Sequence, residues 1–500
     1  MTIPTPRRVT YIHSTRFQQI SDELPSNLGR ASLVHSLISS YGLLDDGEEG
    51  GEGESTDGES KMKAKIVEPE EATREELLSF HDEDFIDSLL GTGSSTPESG
   101  SESESDIESD SPRKRQKTSH HSSSTSLVDD CPPFKSLPQY VPLVAGASLT
   151  AARQLRDGLA DVAISWNGGR HHASRGEAKG FCYVNDIVLA IMELRKKPVP
   201  RLSTRSPSPT PGDENSSSSS PRPVQQPLKK LSKILYIDLD LHHGDAVESA
   251  FLSSPYILTL SLHLHAPLFF PSTGSLSSSG PTNPKAAGRN HALNLALEPG
   301  LGGESLRRVW ETVENVKESF GPDAVVVQCG VDGLYGDPCK EWNLALEDFG
   351  NCITSVLDWK LPTLLLGGGG YSSPNAARTW TYLTSICLNR PLSPSSQIPS
   401  SLSPEEYEQF SPSFTLDVEA NETMRDRNND LTLSKVEEAF DEYCEKLKER
   451  WGTTATRKPM RPRLEVGDKA GVGAEETSKR SGKEKKRVRF ELLEEQSETE

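Results

Sequence analysis

The sequence predicts an α/β fold, a mainly parallel β-sheet sandwiched by helices within one large domain. Three observations lead there. Short apolar runs alternate with segments whose apolar residues recur at helical spacing, the pattern of βαβ units. Four of those runs end in a polar cluster: DVAISW in NGGRHH (167–172), ILYIDLDL in HHGD (242–245), AVVVQ in CGVDGLYGDP (329–338) and TLLL in GGGGY (367–371). Only 33% of the 500 residues are hydrophobic, and Ser, Pro, Gly and acidic residues gather in a few blocks, so setting those blocks aside leaves a single core.

Taken in order, residues 8–13 (RVTYIH) read as a strand and 32–44 as a helix, with Leu33, Val34, Leu37, Ile38 and Tyr41 at helical spacing. Residues 45–60 are Gly/Glu-rich and read as a disordered insertion. Order returns at 62–69. Helices follow over 73–80, with Thr73 and Glu76 as a capping box, and over 83–90. A second disordered insertion, 93–126, joins an acidic-serine run to the basic cluster Arg113-Lys114-Arg115-Gln116-Lys117, read either as a nuclear-import signal or as a solvated basic patch. A helix over 144–158, a strand over 161–166 and a helix over 186–197 precede the third insertion, 199–228, which is rich in Ser and Pro. After the run at 234–241 come strands over 256–263, 324–329 and 363–366 and helices over 304–320, 344–357, 374–388 and 433–450. The domain is thus expected over 8–450, and 451–500 as a disordered charged tail.

The net charge of −20 is concentrated in acidic runs such as 45–59 and 101–110, which argues against direct nucleic-acid binding. An acidic surface suits a basic polypeptide partner or plain solubility. Seven cysteines without a tight spacing pattern do not form a disulfide framework, so a reducing compartment is expected. No secretory leader and no apolar run near the ~18 residues of a membrane span is visible, so a soluble intracellular protein without a membrane partner is expected.

The chemistry centres on ILYIDLDLHHGDAV (234–247). Asp238, Asp240 and His242 alternate, so an extended chain turns them to one side. Two carboxylates and an imidazole at the end of an apolar run are costly unless a divalent metal neutralises them; the competing reading is an exposed charged strand end. In an open parallel sheet, ligands bind beyond the carboxyl ends of the strands, which would gather all four polar clusters at one rim. Asp332 then offers a third metal ligand or an ordinary turn carboxylate. His171 and His172 suit general acid/base work. Asp238 and Asp245 could hold histidine Nδ1–H groups or serve as ordinary salt-bridge and turn groups. Tyr371 is an oxyanion donor or a packed aromatic. Together these groups describe metal-assisted amide hydrolysis.

The segments GGRHHASRGEAKGFCYVNDIVLAI, ILYIDLDLHHGDAVESAF, SLHLHAPLFFPSTG, VVVQCGVDGLYGDP and LLLGGGGYSSPNAARTWTYL resemble the class I histone deacetylases, and RASLVHSL with Asp130-Cys131-Pro132 is similar to the histone deacetylase 8 branch. The likeness runs from about Arg8 to about Arg450 between the insertions. It implies the arginase/deacetylase fold and zinc-dependent hydrolysis of the acetyl amide of acetyl-lysine. Acetylated histone tails or other acetyl-lysine proteins are the implied substrates, in chromatin regulation and transcriptional repression, in the nucleus or also the cytoplasm. By the same resemblance Asp240, His242 and Asp332 are metal ligands for Zn2+; such a donor set also accepts Fe2+ or Co2+. His172 is the principal base and acid, His171 its electrostatic partner, Asp238 and Asp245 the carboxylates behind them, and Tyr371 the carbonyl-polarising group. Gly180, Phe181 and Phe270 wall the substrate tunnel, and Asp130 grips the substrate backbone. Cys339 replaces a larger apolar tunnel residue and widens the pocket. Ser261 and Leu262 mark one structural potassium (K+) site. Phe251, Ser254 and Ile257 mark part of a second, which His291 puts in doubt. PSNLGR (25–30) and Pro338 depart from the inositol-phosphate-binding pattern. Ser32 reads as a phosphorylation site or as a helix N-cap. Lys486-Arg487-Val488-Arg489-Phe490 resembles a protein phosphatase 1 docking motif, with docking through Arg487–Phe490, or arises by chance. Two other functions stand beside deacetylation of proteins: hydrolysis of small acetylated amines, which Asp130 disfavours, and a catalytically weak chromatin scaffold, which would lack a ligand or the tyrosine.

Overall fold

A computed structural model describes residues 7–45, 62–92, 130–199 and 228–452. The three insertions and the tail read from the sequence fall almost wholly outside these residues, as do the basic cluster at 113–117 and the phosphatase-docking motif.

Nine strands form one sheet: β1 (Val9–Ile12), β2 (Leu44–Asp45), β3 (Ala64–Val67), β4 (Val162–Ser165), β5 (Ile234–Asp238), β6 (Ile257–Leu264), β7 (Ala292–Leu297), β8 (Ala324–Gln328) and β9 (Thr363–Leu366). Their order is β2-β3-β1-β4-β9-β8-β5-β6-β7, and every pairing is parallel. The predicted α/β class therefore holds, with the sheet wholly parallel. Along the central strands, alternate side chains enter opposite cores. Leu235, Ile237, Val325, Val327 and Leu365 pack on one face, and Ile234, Tyr236, Val326, Leu364 and Leu366 on the other. Burial on both faces explains why these strands read as continuous apolar runs. Each fully buried Leu, Ile or Val contributes ~1.5–3 kcal/mol, so this double core anchors the strand ends that carry the site.

The four strands that end in polar clusters are consecutive neighbours, β4-β9-β8-β5. Because all run the same way, their carboxyl ends lie along one edge. The register sets Asp238 beside Gln328 and Ser261, and Ser165 beside Leu366.

Several boundaries differ from expectation. The helix expected over 32–44 spans Arg30–Ser40, because Gly42 turns the chain at φ 62° and sends Leu44 into the sheet. Gly29, not Ser32, is its N-cap; the Ser32 hydroxyl donates to Asp22. The helix expected over 144–158 begins at Leu137, since Pro138 fits the first turn and Pro142 is tolerated inside. β7 and the helix Asp245–Phe251 were absent from the sequence reading. The capping box of Thr73 and Glu76 is present. All seven cysteines are free thiols, and among the described residues no helix is long and apolar enough to cross a membrane.

Candidate active site and metal centre

β5 ends at Asp238, and the chain then turns so that successive backbone amides bind the carboxylates before them. The Asp240 N–H donates to Asp238 Oδ1 (3.2 Å) and the His242 N–H to Asp240 Oδ1 (3.1 Å). His242 Nδ1 thereby stands 3.2 Å from Asp240 Oδ1 and 2.9 Å from Asp332 Oδ2. Neighbouring strands fix the carboxylates from outside. Asp240 Oδ2 accepts from Gln328 Nε2 (2.7 Å) and the Gly369 N–H (2.9 Å), and Asp332 Oδ1 from the Leu241 N–H (2.9 Å). A Cβ on Gly369 would sit 2.4 Å from Asp332 Oδ2 and 2.8 Å from Asp240 Oδ2, so glycine is required where the two oxygens converge.

The electrostatics describe a site short of positive charge. Burial, and then the charge of Asp240, raises Asp332 to about 7. Asp240 is held well below the usual carboxylate range: burial opposes its charge, but His171 and His242 outweigh it. His242 is raised to about 10, because hydrogen bonds to Asp240 and Asp332 overcome burial. A divalent cation would supply the missing charge, and an oxygen–nitrogen–oxygen donor set suits a metal that keeps positions open. The residues fit the metal that the sequence implies.

Two histidine–carboxylate pairs adjoin the cluster. His171 Nδ1 donates to Asp238 Oδ2 (2.9 Å), which also accepts the Tyr236 hydroxyl (2.6 Å). His172 Nδ1 donates to Asp245 Oδ1 (2.8 Å), while Asp245 Oδ2 takes Lys179 Nζ (2.6 Å). Both contacts leave the Nε2 atoms facing away from Asp238 and Asp245, with His171 Nε2 3.8 Å from Asp240 Oδ1. Burial disfavours a charged His171, but Asp238 and Asp240 prevail and raise it to about 9. Burial and the neighbouring His171 bring His172 down to about 3.

Aromatic side chains enclose the histidines. Phe270 meets His172 edge-on at 4.9 Å, and Phe181, at φ 61°, meets Tyr371 edge-on at 5.7 Å. A Cβ on Gly180 (φ 57°) would lie 2.4 Å from His172 Cδ2, so glycine lets the wall close on the ring. Asp130 Oδ2 accepts the Gly180 N–H (2.7 Å). The Tyr371 phenol is raised well above its ordinary value, by burial first and then by Asp332 and Asp240, so it remains a donor. A cavity of about 20 Å³ to water-sized spheres, room for about one water, runs past His171, His172, Gly180, Phe181, Asp240 and Tyr371. Cys339 does not line that cavity; it is half-buried and stands against His242 and Asp332.

Other residues are gathered here that the sequence reading did not single out. The buried Arg30 guanidinium donates to the carbonyls of Gly370 (2.8 Å) and Gly368 (3.1 Å), steadying the glycine run before Tyr371. Phe269 stacks on His242 at 5.0 Å. His243, without a role in the sequence, contacts Thr273 Oγ1 (2.8 Å) and Glu248 Oε2 (3.2 Å), tying the end of β5 to the loop that carries Phe269 and Phe270. At the expected potassium positions, Ser261 pairs with Asp238, and His291 is buried against Trp451 and Phe320.

A wholly parallel sheet whose central strand ends gather four carboxylates, three histidines and a tyrosine is the framework of a hydrolase. The family model for the histone deacetylase domain matches residues 25–202 and 224–387, and the chain belongs to the histone deacetylase family of lysine deacetylases. Within class I it is like histone deacetylase 8. It is 35% identical to "Histone deacetylase 8" of Xenopus tropicalis over 428 residues, 85% of this chain and 95% of the relative. The protein of that name from Danio rerio is also 35% identical, over 431 residues, 86% and 93% of the two chains. That from Xenopus laevis is 35% identical over 374 residues, 75% and 96%.

Proposed function

We propose that this chain is a zinc-dependent lysine deacetylase acting on acetylated histone tails and other acetyl-lysine proteins. Its setting on this reading is the nucleus, and also the cytoplasm, as a chromatin regulator and transcriptional repressor. One observation carries the catalytic reading: Asp240, His242, Asp332, both histidine–carboxylate pairs and Tyr371 meet at one edge of the sheet. The net charge of −20 suits basic histone tails as partners. Structural potassium beside Ser261 and phosphatase docking through Arg487–Phe490 belong to the same proposal.

Asp240, His242 and Asp332 would hold the ion, which when bound supplies Lewis acidity to the acetyl carbonyl and to the attacking water. Phe181 and Phe270 flank the acetyl-lysine stem, and Asp130 receives backbone N–H groups of the peptide at the rim. His172, neutral with its proton on Nδ1, accepts a proton at Nε2 from the attacking water. Positively charged His171 and the Tyr371 hydroxyl stabilise the oxygen as its negative charge grows. His172 then returns the proton to the lysine nitrogen as the C–N bond breaks, releasing acetate and amine.

The test is turnover of an acetyl-lysine peptide by Tyr371→Phe and His172→Ala. Each is expected to lose at least ~10²-fold in kcat; unchanged turnover in either overturns the mechanism. Exhaustive chelation should abolish activity and Zn2+ should restore it.

A further inference from the structure

Cys339 carries a thiol that hydrolysis leaves unused. Its sulphur, a histidine nitrogen of His242 and a carboxylate oxygen of Asp332 all lie within 4.8 Å of one another. On one tetrahedral zinc, sulphur and nitrogen stand ~3.6 Å apart, so the sulphur–nitrogen separation exceeds that of two ligands by no more than ~1.2 Å; Asp240 is not one of the three residues in this group. Its approach is fixed by the loop. Asp337 Oδ1 accepts the Cys339 N–H (3.0 Å), and Asp337 Oδ2 accepts the Tyr371 N–H (2.7 Å). One carboxylate therefore ties the backbone at Cys339 to the backbone at Tyr371. The side chain is half-buried, and burial, together with Asp332, Asp337 and Asp240, pushes the thiol well above its ordinary value, so the sulphur stays protonated until a cation replaces the proton.

We propose that Cys339 is a displaceable fourth ligand of the ion held by Asp240, His242 and Asp332. The thiol gives its proton to solvent as the sulphur–metal bond forms. It takes a proton back when a substrate carbonyl or chelator displaces it. This rests on the reading of that trio as metal ligands. Two consequences follow. Thiolate occupies the position that substrate needs, so the resting site is closed. A soft donor also favours Zn2+ over Fe2+, which a site of two carboxylates and one imidazole would not do by ligand softness.

The test loads the full chain with Co2+ and records its absorption. Wild type is expected to show visible ligand-field bands together with a near-ultraviolet thiolate-to-cobalt band. Cys339→Ser and Cys339→Ala should keep the visible bands and lose the ultraviolet one. Excess acetohydroxamate should remove it from wild type. Chelator competition should show Zn2+ affinity at least ~10-fold weaker in both variants, as losses of supporting groups alone cost ~10–100-fold, with a smaller Zn2+/Fe2+ preference. Visible bands without the ultraviolet band in wild type overturn the proposal and leave the metal trio standing. So does an ultraviolet band that persists in Cys339→Ala or resists acetohydroxamate. Absence of visible bands in wild type, or their survival unchanged in His242→Ala, overturns the trio itself.

Discussion

The pairs His171–Asp238 and His172–Asp245 are chemically alike, adjacent in the chain and nearly equal in length, at 2.9 and 2.8 Å. Yet His171 is raised to about 9 and His172 lowered to about 3. The hydrogen bond does not make the difference; its surroundings do. The inner pair has no exposed carboxylate, and Asp240 Oδ1 lies 3.8 Å from His171 Nε2. In the outer pair Lys179 shares Asp245, whose side chain is 17% exposed. The His171 ring, 3.8 Å from that of His172, adds positive charge. A proton entering this corner settles on the inner ring and leaves the outer one free to act as a base.

The largest effect comes from breaking each pair in turn. Asp238→Asn removes a buried charge that also receives Tyr236 and the Asp240 amide, so both stability and rate should fall, the first by ~3 kcal/mol. Asp245→Asn loses the support of the His172 tautomer, and kcat should drop ~10²-fold while stability stays within ~1 kcal/mol. Denaturant unfolding and peptide turnover measure the two. Equal stability losses would remove the distinction between an inner structural pair and an outer working one.

A pH profile sharpens the same contrast. His171 is charged below about 9 and neutral above. Its charge aids the growing oxyanion, so kcat should fall as pH rises through that range. A divalent ion nearby lowers its pKa, so the limb in the loaded enzyme lies below about 9. In His171→Asn the slope of this limb should flatten; a limb of unchanged position and steepness would assign it to another group.

That Asp240, His242 and Asp332 would meet beside the histidines and their carboxylates was legible in the sequence because the polar residues follow directly on buried strands, and a parallel sheet gathers its strand ends. The supporting residues were not. Arg30 reaches Gly370 across 340 positions, and Lys179 reaches Asp245 across 66. Such contacts leave no periodicity. β7 (ALNLAL) lies between turn residues at 288–290 and 299–300 but went unread, because periodicity alone does not distinguish so short an apolar run from a buried helical segment. The start of the helix at Leu137 was masked by two prolines that the first turns accommodate.

Lys179 offers the smallest and most discriminating test. Its ammonium neutralises Asp245 and lies 5.1 Å from the Phe270 ring centroid. Lys179→Met leaves the full carboxylate charge to His172, whose pKa must then rise, since a nearby negative charge favours the protonated ring. The acid limb of kcat should move to higher pH, by less than about one unit for a partly exposed pair. Loss of the cation at Phe270, worth ~0.5–1 kcal/mol, should raise KM a few-fold. Lys179→Arg keeps the charge and should restore the limb while recovering KM in part. If Met and Arg shift the limb alike, the Lys179 charge does not set the base strength of the outer histidine, and its low pKa rests on burial and His171 alone.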